Sequence, residues 1–293
     1  MVYSVQILLP TYRSDELKLT ADYWICQHMF RVFKMLNYES TDDDASANIQ
    51  LRLGGQPLRE RVHFIAPFRA IWIFSKPERF ERGRELKRLK GSDYHKIYTT
   101  SHLHSKKIAQ LGIESTPLWP APTQQYRPRK EDYKYEIAYI GTGIPSRRNL
   151  FNVLSQKFKV NVCGAYWDQA KYVTGNFWPN DRLGDFYNTA PLSVYCTDHA
   201  FIERGIVSVR ILDVIASSDC LPIVQYNPGL NEIFGSVKVP TYNTQQELED
   251  KIQYYLCHEA EREQKQNQLR KVLGGHNYQE ICSQIIQDAL QRM

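Results

Sequence analysis

A chain of 293 residues with 42% hydrophobic and 24% charged residues has the balance of a folded globular protein, with room for one large domain or two of ordinary size. No apolar run approaches the ~20 residues of a membrane span, and the first ten residues read as a core strand rather than a signal peptide. The 37 basic and 32 acidic residues leave a formal net charge of +5. That is too mild, and too interleaved with acids, to imply nucleic acid, but enough to favour an anionic ligand or an anionic membrane surface. The 6 cysteines lie far apart with no CxxC pair, as expected of reduced core thiols in a cytoplasm.

Residues 3–9 predict a strand that ends in a polar loop holding Asp15. Thr20 is placed to cap a helix over 21–36, whose apolar face carries Trp24, Ile25, Met29, Phe30 and Phe33. The run Asp42-Asp43-Asp44 has the form of a metal-gripping DxD, but it follows a helix rather than a strand, so it reads as a solvated loop and no metal is expected. Strands are predicted at 49–53, 69–74 and 94–99, after which Ser101 opens a helix that closes on Gly112. This alternation predicts a Rossmann-like lobe over 1–119. Within it, 76–90 sets Lys76, Arg79, Arg82, Arg84, Lys87, Arg88 and Lys90 against Glu78, Glu81 and Glu85, with Phe80, Leu86 and Leu89 on an apolar side. The plain reading is a solvated helix face; the sharper one is a patch lying peripherally on anionic lipid.

The proline-rich stretch 120–134 reads as a linker. A second lobe over 135–276 begins with a strand at 136–140, the turn Gly141-Thr142-Gly143, and a helix opened by Pro145 with Arg147 and Arg148 in its first turn. A glycine turn between strand and helix brings backbone N–H groups and arginines toward an anion. Further strands are predicted at 158–163, 192–196, 221–225 and 237–239, with helices at 181–189 and 207–216. Polar residues fall at strand ends, Asp198 and His199 after one, Tyr226 and Asn227 after the next, where ligands of parallel sheets bind. The tail from 244 onward is helical apart from a break at Gly274-Gly275, ending in a helix over 277–293.

The run Arg210-Ile211-Leu212-Asp213, the small turn Ser217-Ser218, and Tyr226-Asn227-Pro228-Gly229-Leu230-Asn231-Glu232-Ile233-Phe234 together resemble the donor-binding half of GT-B glycosyltransferases. The resemblance is strongest to the group 1 superfamily and its spore-maturation-type branch. It implies an α/β fold of two Rossmann-like lobes with a C-terminal helix crossing back to the first. It implies metal-independent transfer of a sugar from a nucleotide-sugar to a hydroxyl of a glycan, lipid-linked or other acceptor, in the cytoplasm or at the inner membrane face, with no nucleic-acid partner. By the same resemblance Gly141, Gly143, Arg147, Arg148 and Arg210 face the diphosphate, Asp213 and Glu232 the ribose or sugar, and Tyr226 and Asn227 the base. Asp15, Asp198 and His199 are the candidates for acceptor deprotonation. A sugar-nucleotide epimerase of the same shape and a catalytically degenerate binding protein remain open.

Overall fold

The computed structural model describes residues 3–8, 21–41, 45–54, 65–74, 76–91, 93–167 and 170–293. Short runs rich in apolar residues make strands buried along nearly all their length, Gln50 and Arg52 included, as parallel sheets covered on both faces require. The chain forms two units, Met1–Ala121 with His199–Val207 and His276–Met293, and Pro122–Asp198 with Ser208–Gly275.

The first unit opens with β1 (Tyr3–Leu8), α1 (Ala21–Met35), β2 (Tyr38–Ser40), β3 (Ile49–Gly54), β4 (Phe68–Ile73), α2 (Gly83–Lys90), β5 (Lys96–Thr99), α3 (His102–Ala109) and β6 (Thr116–Pro117). The chain then enters the second unit with β7 (Ile137–Ile140), α4 (Pro145–Leu154), β8 (Val160–Cys163), β9 (Val173–Gly175), α5 (Leu183–Tyr187) and β10 (Leu192–Tyr195). It returns to the first for α6 (His199–Ile202). The second resumes with α7 (Val209–Ser217), β11 (Leu221–Gln225), α8 (Gly229–Phe234), β12 (Thr241–Tyr242), α9 (Gln245–Cys257) and α10 (Glu259–Leu273), and α11 (Tyr278–Leu290) completes the first.

The first sheet runs β2-β1-β3-β4-β5-β6, with every neighbouring pair parallel. Its order reverses between β1 and β3, where a doubly wound sheet opens a crevice. The segments after both strands, and with them Asp15, Thr20 and Asp42-Asp43-Asp44, lie outside the described residues. The core is closed by α1 and α11: Ile25, Met29 and Phe33 of one and Ile281, Cys282, Ile285 and Ala289 of the other are buried. Burying each of the larger of these is worth roughly 1.5–3 kcal/mol. The Tyr98 hydroxyl donates to Asp288 at 2.6 Å and the His28 ring stacks on Tyr278 at 5.8 Å, anchoring α11 within this unit.

The second sheet runs β12-β11-β10-β7-β8-β9, again parallel throughout, and reverses between β7 and β10. Helix α7 starts where Ser208 accepts the Arg210 amide at 3.3 Å.

Three local expectations are corrected. The closing strand lies at Thr241–Tyr242 rather than 237–239, because the Val237 amide turns back to Phe234 and the ladder resumes only at the Pro240 carbonyl. The tail breaks at His258 as well as at the glycines, since His258 leaves helical geometry between α9 and α10. Residues 76–90 are a short turn over Pro77–Arg79 followed by α2, separated by Gly83 at φ +65, a left-handed conformation that glycine adopts without strain. Among the described residues no helix is long and apolar enough to cross a membrane.

Candidate active site

The reversal between β7 and β10 puts the turn after β7 at the carboxyl edge of the second sheet. A Cβ on Gly143 would meet the Tyr166 carbonyl oxygen at 2.3 Å, so only glycine fits against the segment following β8. The Gly143 amide donates to Ala165 at 2.8 Å, the Gly141 amide to Cys163 at 3.0 Å, and the Trp167 indole to the Gly141 carbonyl at 2.7 Å. The turn thus uses both glycine amides internally in this structure. Its role is close packing.

The first turn of α4 carries Arg147 and Arg148. Arg147 Nη1 donates to the Thr142 carbonyl at 3.1 Å while its Nε, although buried, has no partner. Arg148 Nη1 reaches the Tyr166 carbonyl at 3.4 Å. The Arg147 guanidinium lies 6.0 Å from the ring centre of Tyr139 on β7, whose buried phenol is pushed up by burial against the opposing charges of Arg147 and Arg210. Burial also raises the Cys196 thiol; the Arg147 charge and a hydrogen bond with Ser146 oppose this, and the Asp198 charge adds to it. These residues share one neighbourhood at the ends of β7 and β10.

Arg210 and Asp213, three residues apart on α7, are not a solvated pair. Arg210 Nη1 lies 3.1 Å from Asn180 Oδ1 and 3.8 Å from Asp213 Oδ2. Asp213 is 2% exposed, and its Oδ1 accepts from both the amide (2.7 Å) and the hydroxyl (2.9 Å) of Thr123. Burial raises this carboxyl, and Arg210 and Thr123 counter the rise. Asp213 Oδ1 thus holds the start of the linker to α7. Neither Thr123 nor Asn180 is marked out by the sequence, because their partners are distant along the chain.

After β10, Thr197 donates its amide to Gln225 Oε1 at 3.1 Å, and Asp198 is exposed. After β11, Tyr226 is 44% exposed, whereas Asn227 is buried and its Oδ1 accepts from the Gly229 amide at 2.9 Å. Asn227 shapes the turn into α8. Glu232 is half-buried on α8. His199 opens α6 in the first unit, 3.5 Å from Glu203 and largely exposed. Gly141, Gly143, Arg147, Arg148, Asp198, Arg210 and Tyr226 gather at or near one sheet edge; Asp213 and Asn227 turn inward. Among the described residues no group of three or more His, Cys, Asp or Glu side chains could hold a metal ion.

A family model described as "Glycosyl transferase-like" matches residues 147–287. No curated protein matches the chain. Solved structures are similar over almost the whole length. An alpha-glucosyltransferase in complex with UDP and a 13-mer DNA containing an HMU base gives a TM-score of 0.68 at 9% identity, over 98% of this chain and 99% of that one. The DNA-modifying enzyme beta-glucosyltransferase, studied with and without uridine diphosphoglucose, gives 0.62 at 12% identity, over 99% and 97%. The T4 phage BGT in complex with UDP and Mn2+ gives 0.59 at 11% identity, over 99% and 98%. The fold is that of the GT-B sugar transferases, two parallel α/β lobes with a C-terminal helix. The exclusion of nucleic acid drawn from interleaved charge is overturned, since alpha-glucosyltransferases of this same fold hold DNA.

Proposed function

We propose that this chain transfers a sugar from a UDP-sugar to a hydroxyl carried by DNA. The carrying observation is a set of guanidinium groups at the carboxyl edge of the second sheet: Arg147, 6.0 Å from the Tyr139 ring and with its buried Nε unpartnered, and Arg210 in the first turn of α7. The glycosyl transferase-like match over the same segment, and UDP in the similar structures, support a nucleoside diphosphate there. The donor half's resemblance to the group 1, spore-maturation-type branch supports the same reading.

Arg147, Arg148 and Arg210 neutralise the charge that grows on the departing diphosphate, as fixed donors do where charge develops. Tyr226 stacks on the uracil, and Glu232 accepts from a ribose or sugar hydroxyl. The acceptor hydroxyl gives its proton to a carboxylate, its oxygen bonds to the anomeric carbon, and the bond from that carbon to the diphosphate breaks, releasing UDP. Of Asp15, Asp198 and His199 we favour Asp198, which follows β10 beside Arg147's neighbourhood. No step is routed through a metal ion.

The test is incubation with UDP-glucose and duplex DNA containing an HMU base, read by mass spectrometry of the DNA. A gain of one hexose is expected, absent from unmodified duplex. Absence of UDP binding in a thermal-shift titration overturns the whole reading; UDP binding with transfer only to a free glycan overturns the DNA acceptor.

A further inference from the structure

Acids and bases alternate along 76–90, yet the fold sorts them onto different sides. Glu81 accepts two hydrogen bonds from Arg204, at 2.6 and 2.7 Å, and lies 3.8 Å from Lys107. Glu85 pairs with buried Arg52 at 2.9 Å, and the charge of Glu78 also reaches Arg204. All three acids face cations of the unit's own fabric. Phe80 and Leu89 are buried in the core with Leu86 packed against them, which fixes the inner side of α2. On the other side, Arg84, Lys87 and Lys90 are exposed, as are Arg82 before the helix and Lys76 before the turn. No described acid pairs with any of these five, whereas Arg88 lies 3.7 Å from Glu85. Like charges at helical spacing repel by about 0.2–0.5 kcal/mol per pair, so the fold gains nothing from this array.

We propose that Lys76, Arg82, Arg84, Lys87 and Lys90 form a docking surface for the phosphate backbone of duplex DNA. Arg84, Lys87 and Lys90, three apart on α2, space their Cβ atoms about 5–6 Å apart, and duplex DNA carries one negative charge per ~1.7 Å of axis, so each cation has a phosphate within reach. Such contacts hold and orient a duplex without reading its sequence. The inference rests on the nucleic-acid half of the proposed function and adds where the acceptor is gripped.

Fluorescence anisotropy with a labelled, unmodified duplex of about 20 base pairs, titrated across a salt series, tests it on the full chain. Wild type is expected to bind with a linear log–log salt dependence. Arg84→Gln/Lys87→Gln is expected to reduce the slope by about 1.8, and Arg82→Gln/Lys90→Gln likewise, each with an unchanged melting temperature. Lys271→Gln on α10 is expected to leave the slope alone. Wild-type slopes in both double variants overturn the docking surface while the proposed acceptor stands. No duplex binding by wild type overturns the acceptor reading as well. Binding to phosphatidylserine vesicles that depends on these residues, with duplex binding indifferent to them, assigns the face to lipid and overturns the inference.

Discussion

Glu81 holds Arg204 side-on, Nε donating to Oε1 at 2.6 Å and Nη2 to Oε2 at 2.7 Å. Arg204 is 4% exposed, donates again to the Ala200 carbonyl at 2.8 Å, and accepts the Ser101 hydroxyl at its own carbonyl. The pair fastens the α6 segment to the stretch leading into α2 and to the cap of α3. Glu81→Ala leaves this guanidinium with Glu203 alone, 3.3 Å from its Nη1, and should lower unfolding free energy by about 1–3 kcal/mol. Glu81→Leu/Arg204→Met should recover most of that loss. Urea denaturation measures both.

His104, beside this pair, is fully buried, and neither ring nitrogen has a hydrogen-bond partner. Burial holds its pKa down to about 4; Glu81 acts upward, Arg204 and Lys107 downward. The unfolded chain takes up this proton first, so the contribution of neutral His104 is full above pH 6.5 and declines as pH falls toward 4. Burial acts upward on Glu81 too, but its bonds to Arg204 and the nearby Lys107 prevail and hold it below the ordinary value of 4.5, so its contribution is lost at still lower pH. The loss from His104 is on the order of a few kcal/mol. Melting temperature should fall between pH 7 and 5 in wild type and stay flatter in His104→Leu.

Asp213→Ala removes the acceptor of two Thr123 hydrogen bonds and the nearest carboxylate to Arg210. A destabilisation of about 1–3 kcal/mol is expected from buried donors left unmatched. UDP affinity should change little. A large affinity loss with normal stability would support the ribose-binding role.

Gly143→Ala forces a methyl toward a backbone carbonyl 2.3 Å away. Displacement of the segment after β8 should destabilise the unit by about 1–3 kcal/mol. It should also weaken UDP binding, because Arg148 is anchored on that same carbonyl. Thermal shift with and without UDP separates the two effects.

Arg210→Ala should reduce sugar transfer by about 10²–10³-fold while binding of duplex DNA is retained. On the proposed function, in which guanidinium groups meet the diphosphate, UDP affinity should be the same in EDTA and in Mn2+. Steady-state kinetics and calorimetry read these outcomes.

Four strands of the second sheet, β7, β8, β10 and β11, were legible because they are short apolar runs between turn signals, and β11 falls where its pattern indicates, Leu221–Gln225. The resemblance carried by Arg210 and the turn into α8 rightly indicated the GT-B fold. What pattern could not reveal was direction. Asp213 turns inward because of a partner 90 positions away, Glu81 because of one 123 away, and Glu85 because of one 33 away. Acids interleaved in the chain therefore appeared to cancel a positive face that the fold leaves bare. The edge strands β2, β6 and β9 have only 3, 2 and 3 residues, too few for any periodicity to register.

Because α11 belongs to the first unit, the opening half of this protein is unfinished when it leaves the ribosome. Ile25, Met29 and Phe33 wait with an uncovered apolar flank until Ile281, Cys282 and Ile285 have been synthesised. Nascent chains halted anywhere before that point should be readily cut by protease in their first hundred residues. Neither unit can be cloned as an uninterrupted fragment.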